Sequence, residues 1–233
     1  MLGIILPRIT LISRPMEDAK ALKRALLLMN PSTKIILAPA LAIVPVAYEL
    51  KTDVFDAIIL TSKHAVPAAA KMTSTIPVLC VGDRTAQMAR SLGLRAVSAA
   101  GNAKDLIELV QASGASKVLY LRGAHVQADM EFELSLAGIE TKSMIVYRQD
   151  PCEFSHDVQQ SLLAATELLV PVYSARSARI VSQNLSGFAG QITLVAISKA
   201  AANGWSGPVP HQIVYAKSPN FEAMVAAIAS QLA

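Results

Sequence analysis

Short, unbroken apolar runs recur along the chain: Ile9–Ser13, Lys34–Ala38, Ala57–Leu60, Val78–Val81, Val118–Leu121, Met144–Tyr147, Leu168–Tyr173, Ile192–Ile197 and Gln212–Ala216. They are rich in Ile, Val and Leu and mostly lack the alternation with polar residues that marks a half-buried strand. Runs of this kind predict strands covered on both faces, hence a parallel sheet flanked by helices. Between them lie amphipathic stretches with helical spacing: Glu17–Met29, Thr85–Leu92, Ala103–Ala112, Ala128–Leu136, Ser177–Gln183 and Phe221–Leu232. Asn102 before Ala103, and Ser218-Pro219 before the last stretch, are helix starts of the usual chemistry. Strand and helix in alternation place the chain in the α/β class.

The pattern also repeats. Displaced by 108, Ile12-Ser-Arg14-Pro falls on Tyr120-Leu-Arg122-Gly, and Thr33-Lys34-Ile-Ile falls on Thr141-Lys142-Ser-Met. Displaced by 112, Leu60-Thr-Ser62-Lys falls on Val172-Tyr-Ser174-Ala; displaced by 116, Val81-Gly82-Asp-Arg84-Thr85 falls on Ile197-Ser198-Lys199-Ala-Ala201. Matches in one order with a drifting offset imply a doubled α/β unit: two similar lobes with a ligand cleft between them.

Composition narrows the function more than the fold. With 233 residues, 53% apolar and 16% charged, the chain buries a real core and is not disordered. The longest apolar run, Ile35 to Tyr48, is interrupted by Pro39 and Pro45 and falls short of the roughly 20 residues of a spanning helix. No basic segment precedes the short apolar stretch at the N-terminus, so no secretory signal is expected. Cys80 and Cys152 form neither a disulfide framework nor a CxxC pair, and a cytoplasmic protein is expected. The net charge of +4 comes with no Lys/Arg-rich run, and one Trp, five Tyr and five Phe make no stacking platform. Nucleic acid and membranes are therefore not expected partners.

The position of the cations is more informative. Ser13-Arg14, Ser62-Lys63, Gly82-Asp83-Arg84-Thr85, Arg122-Gly123, Ser174-Ala175-Arg176-Ser177 and Ser198-Lys199 each follow a predicted strand and precede a predicted helix. Such turns lie at the carboxyl ends of the strands, where open α/β sheets bind ligands. A cation at a helix N-terminus is unfavourable by roughly 0.3–1 kcal/mol, so six of them call for an anion. Free N–H groups, hydroxyls and guanidinium forks all complement carboxylate or phosphate. Phosphate is the poorer choice, since neither GxxxxGK[ST] nor GxGxxG follows any strand. His64, His125, His156 and His211 lack the spacing of a metal site, and no GxSxG elbow is present. Cys80, within a strand, reads as inert core, and Tyr147 at a strand end reads by itself as a core tyrosine.

At these residues the sequence resembles the uroporphyrinogen-III synthases. The likeness runs in family order through Ser13-Arg14-Pro15, Leu60-Thr61-Ser62-Lys63-His64-Ala65-Val66, Val81-Gly82-Asp83-Arg84-Thr85-Ala86, Gly101-Asn102-Ala103, Leu119-Tyr120-Leu121-Arg122-Gly123, Val146-Tyr147-Arg148, Tyr173-Ser174-Ala175-Arg176-Ser177 and Ile197-Ser198. The resemblance implies two similar α/β lobes, each a parallel sheet flanked by helices, joined by a two-stranded extended linker. One lobe would hold 1–37 plus 150–233, the other 41–146. It implies cyclisation of linear hydroxymethylbilane to uroporphyrinogen III, with ring D inverted, water released and no cofactor.

By the same resemblance Tyr147 assists departure of the hydroxyl. Ser13, Arg14, Ser62, Lys63, Gly82, Arg84, Thr85, Arg122, Gly123, Ser174, Arg176, Ser177, Ser198 and Lys199 line the substrate site. Two positions depart from the family: Ala201 replaces a threonine, and Ser198 replaces a glycine. The expected protein is a monomer meeting its small-molecule substrate and, transiently, the enzymes before and after it in the pathway. The alternative is a non-catalytic two-lobed binding module for a small polyanion.

Overall fold

The computed structural model describes residues 8–49, 54–73, 75–126 and 129–232. Two compact units emerge: Met1–Ala42 with Asp150–Ala233, and Ile43–Gln149. The first carries a five-stranded sheet built from β1 (Ile9–Ile12), β2 (Lys34–Leu37), β9 (Glu167–Val172), β10 (Gln191–Ala196) and β11 (Gln212–Tyr215), in the order β11-β10-β9-β1-β2. All its pairs are parallel. Helices α1 (Met16–Met29), α6 (His156–Leu163), α7 (Ala175–Asn184), α8 (Lys199–Ala202) and α9 (Phe221–Ala229) belong to this unit. Leu22 and Leu26 of α1 join Met224 and Ile228 of α9 in one core, while Val181 of α7 packs with Leu11, Leu168 and Leu194 in another. That is the two-sided burial the apolar runs predict.

The second unit holds β3 (Leu41–Pro45), β4 (Ala57–Leu60), β5 (Val78–Cys80), β6 (Ala96–Ser98), β7 (Lys117–Gly123) and β8 (Glu140–Pro151), in the order β3-β8-β7-β4-β5-β6. The pairs from β8 through β6 are parallel. Strand β3 departs from the all-parallel expectation. Val46 N–H donates to Val146 C=O and Cys152 N–H to Ala40 C=O, so β8 residues fall as β3 residues rise. That is antiparallel pairing. A 3₁₀ turn over Lys63–Ala65 leads into α2 (Val66–Met72), and α3 (Asp83–Ser91), α4 (Ala103–Ala112) and α5 (Met130–Leu136) complete the unit.

The offsets read from sequence carry each sheet onto the other. β1 and β2 correspond to β7 and β8, β9 to β4, and β10 to β5, and both orders then coincide. In each sheet the chain reverses its direction of growth at one crevice: between β1 and β9, and between β7 and β4. Those are the topological switch points.

Several elements differ from expectation. Strand β8 is twelve residues long, so Tyr147 lies well inside it. β3, β6, α2, α6 and α8 have no counterpart among the predicted runs and amphipathic stretches. Helix α7 begins two residues before Ser177, and α8 stops at Ala202. Ala128, the expected start of α5, lies outside the described residues.

Candidate functional site

In the second unit, β8, β7, β4 and β5 are neighbours in that order, so their carboxyl ends line one sheet edge. Tyr147, Gly123, Ser62-Lys63 and Gly82 through Thr85 are gathered there. Arg122 and Gly123 are not a turn before a helix, as the sequence had implied. They are the last two residues of β7, and α5 begins only at Met130. Tyr147 is buried, 7% exposed, within the core formed by Leu60, Val66 and Leu121. Its phenol tip lies over Gly123, and its ring meets that of His64 at a centroid separation of 5.7 Å and a tilt of 59°.

Arg122 is directed by other partners. Its Nε donates to Ser143 Oγ at 3.2 Å and its Nη1 to the Gly123 carbonyl at 3.2 Å, while Ser143 N–H donates to Glu131 at 3.0 Å. Two positions earlier on β7, the Tyr120 hydroxyl stands 3.0 Å from Thr61 Oγ1 across the switch crevice. Burial raises the Tyr120 phenol above its ordinary value, and the Thr61 hydrogen bond offsets part of that rise. Neither this pair nor His64 was read as part of the site. The signal was present: Thr61 and His64 stand inside the Leu60–Val66 motif, and Tyr120 stands two residues before Arg122.

The turns of this unit are not alike. Ser62 Oγ accepts from His64 N–H at 3.3 Å, capping the 3₁₀ turn that begins at half-buried Lys63. Gly82 opens α3 with no side-chain cap, and a Cβ at this position would meet nothing within 4 Å. Its backbone is extended, at φ −141°, a conformation any residue adopts. The glycine therefore leaves open space at the positive end of a nine-residue helix, beside buried Thr85 and exposed Arg84.

In the first unit the same edge carries Ser13-Arg14, Ser174 through Ser177, and Ser198-Lys199. Ser13 is buried, and its carbonyl accepts from Ala40 N–H. Arg14 is held at the switch crevice. Its guanidinium lies 4.0 Å from the Tyr173 ring centre, and its Nη2 is 3.4 Å from the carboxylate of Asp18, a buried residue in the first turn of α1. Ser174 and Ser177 form a capping box, each hydroxyl accepting the other's backbone N–H, with Arg176 half-buried between them. Ser198 Oγ accepts from Ala201 N–H at 3.2 Å and caps α8, whose first residue is exposed Lys199. Three of the serines read as anion ligands thus also terminate their own helices.

Other chemistry is thin. Burial pushes the Cys80 thiol up to about 11, so it is a core residue and not a nucleophile. Among the described residues, no three His, Cys, Asp or Glu are grouped to hold a metal ion. None of their helices is long and apolar enough to cross a membrane.

The uroporphyrinogen-III synthase structure from Helicobacter pylori superimposes with a TM-score of 0.66 over 97% of this chain and all of that one, at 19% identity. A mutant uroporphyrinogen III synthase from Thermus thermophilus gives 0.50 over the same shares, at 16% identity. At those identities the likeness speaks for the fold. No curated protein sequence matches the chain. The family model described as "Uroporphyrinogen-III synthase HemD" matches residues 24–226, which takes in nearly every turn described above. The chain belongs to the uroporphyrinogen-III synthase family and is an enzyme of tetrapyrrole biosynthesis.

Proposed function

We propose that the turns of both units grip the acetate and propionate groups of hydroxymethylbilane, and that Tyr147 donates a hydrogen bond or proton to its departing hydroxyl. The reaction converts one bilane into uroporphyrinogen III and one water. Pyrrole nitrogen electrons expel the hydroxyl, leaving an azafulvene. The substituted carbon of ring D attacks it, and the spiro intermediate fragments and recloses with ring D inverted. Loss of a ring proton at closure restores the proton consumed by the leaving hydroxyl. Unaided, the same bilane closes without inversion. Catalysis is therefore chiefly the holding of one near-attack shape against an easier closure.

The observation that carries this reading is the buried Tyr147 at the same sheet edge as the uncapped, unobstructed α3 N-terminus at Gly82. Serine hydroxyls that cap helices keep a lone pair for a bridging water, so Ser62, Ser174 and Ser198 remain in the proposal beside Lys63, Arg84, Arg176 and Lys199, while Ser177, whose hydroxyl is fully engaged with Ser174, enters it by orienting Ser174. Arg14 and Arg122 enter it as cations already oriented by protein partners. In this reading the chain forms two lobes, 1–37 plus 150–233 and 41–146, and each brings its own turns to the bilane's carboxylates. β3 and β8 form the extended linker, and the protein acts as a cytoplasmic monomer.

Mixing the protein with freshly generated hydroxymethylbilane and separating the product isomers tests it. Type III product in excess is expected. Type I product alone would point to the non-catalytic polyanion module.

A further inference from the structure

Strands β7 and β8 run in register from Lys117 opposite Glu140 to Arg122 opposite Ile145, and then slip. Gly123 stands opposite Tyr147, leaving Val146 as an extra residue. Successive residues of a regular strand point to opposite faces, yet Val146 and Tyr147 are both buried in the same core. The bulge explains this, because one extra residue re-aims the side chain that follows. It is pinned from both sides: Val46 N–H donates to the Val146 carbonyl, and Ala124 N–H donates to the Tyr147 carbonyl.

The bulge brings the phenol onto Gly123. A Cβ at this glycine would lie 2.7 Å from Tyr147 Cζ, 2.8 Å from Cε2 and 2.9 Å from the hydroxyl oxygen. Contacts that close are essentially absent from real side chains, so any Cβ here would displace the ring. Gly123 is not among the glycines with positive φ, so its backbone does not demand glycine. What demands it is the volume of the phenol tip. His64 meets the same ring at a tilt and limits where a displaced phenol could go.

We infer that Gly123 is a positioning residue: its absent side chain is the seat that fixes the Tyr147 hydroxyl, and the β8 bulge delivers the ring to that seat. This rests on the reading of Tyr147 given above. It also changes the part assigned to Gly123, from a substrate contact to a support for the tyrosine.

The test uses the full chain labelled with ¹³Cζ-tyrosine, in which the Tyr147 resonance is the one lost in Tyr147→Phe. In Gly123→Ala that resonance should move while the other tyrosines stay in place. kcat should fall by about 10- to 100-fold, with KM changed less than about threefold, as expected for a misplaced group. In a Tyr147→Phe background, the same substitution should cost no further turnover beyond about twofold. Gly187→Ala, where a Cβ meets nothing within 4 Å, is the control and should match the parent. An unmoved Tyr147 resonance in Gly123→Ala would overturn the seat whatever the activity. Full additivity with Tyr147→Phe, or a loss confined to KM, would overturn the positioning role and restore the substrate contact. Parental turnover in Tyr147→Phe would instead remove the proposed role of the tyrosine, and with it the catalytic half of the inference.

Discussion

The turn after β5 and the turn after β10 occupy equivalent places in the two sheets, and they resolve the same chemistry oppositely. After β5, Gly82 supplies no cap, and nine-residue α3 opens onto empty space with Thr85 buried in its first turn. After β10, Ser198 caps its own helix, α8 ends after four residues, and Ala201 stands where Thr85 would be. The chain beyond α8 explains the short helix. Gly204 packs directly on the Ala175 backbone, Gly207 packs on the Ser182 backbone, and Ser206 N–H donates to Ser182 Oγ. The Trp205 indole N–H closes the loop onto the Pro208 carbonyl at 2.7 Å. One helix N-terminus thus lacks a side-chain cap, and the other is capped by its own serine and buttressed from below. The doubling of the fold does not extend to its helix caps.

The buttress offers the strongest way to break this contrast. Gly204→Ala places a Cβ against Ala175 backbone atoms, which cannot yield as a side chain would. It should cost about 3 kcal/mol, at the upper end for overpacking, read as a lower denaturant midpoint at unchanged m. A smaller difference separates the two equivalent arginines. Arg14→Ala removes a partner from the Asp18 carboxylate, whose side chain is 9% exposed, and should cost about 1–2 kcal/mol. Arg122→Ala gives up hydrogen bonds to the Ser143 hydroxyl and the Gly123 carbonyl and should cost less. Equal losses would mean that the two switch crevices are held alike.

The open turn can be closed by design. Gly82→Asp supplies a cap worth a few tenths of a kcal/mol to α3 while placing a carboxylate where the bilane's would bind. Thermal stability should rise slightly, and KM should rise about tenfold, the equivalent of about 1.4 kcal/mol of binding. Ser198→Gly is the mirror experiment: stability should fall by a few tenths of a kcal/mol, and KM should rise by less than in Gly82→Asp, about two- to threefold, because Ser198 reaches the bilane through water. A KM effect as large as that of Gly82→Asp would show that the capped turn grips the bilane as directly as the open one.

The smallest effect lies at the opposite edge of the sheets, where equivalent strand pairs are latched differently. In the first unit, Arg8 Nε pairs with Glu167 at 2.9 Å, both side chains about 40% exposed. In the second, the Asp56 carboxylate accepts from Ser116 N–H, Ser116 Oγ and Lys117 N–H. The Lys117 and Ser116 backbone hydrogen bonds hold the Asp56 carboxyl below its ordinary value of 3.8. A depressed carboxyl stabilises the fold above its unfolded value and loses that contribution as pH falls through the folded one. Asp56→Asn should therefore flatten the acid limb by lowering stability slightly at neutral pH, with the two proteins converging as pH falls below about 4.

The sequence carried the sheets well because their central strands are buried on both faces, as the runs Ala57–Leu60 and Leu168–Tyr173 announce. It carried the edges poorly. Strand β6 has only three residues, with Val97 exposed, and gives no periodic signal. Pro67 obscured α2, although proline in a first helical turn is well tolerated. At the site, residue types were legible and their duties were not. Ser174 and Ser198 carry N-cap chemistry as plainly as anion-binding chemistry, and the fold uses them as caps. The Arg14–Asp18 pair was visible as an i,i+4 spacing, which already answers why a cation stands at that helix start. The seat of Tyr147 on Gly123 was out of reach, because it depends on one bulged residue that pattern alone does not locate.

The register of β1 with β9 has a consequence for how the molecule is born. Ile9 and Thr10 lie opposite Leu168 and Leu169, about 160 residues later in the chain. A ribosome adding 5–20 residues per second needs on the order of 10–30 s to bridge that interval. All of Ile43–Gln149 is translated meanwhile, and its parallel strands β4 through β8 can condense without help from either terminus. The nascent chain therefore carries a strand that is apolar but for Thr10 and waits, uncovered on one side, for the last third of the protein. Truncation near Asp150 should leave that strand as a sticky end on an otherwise finished core.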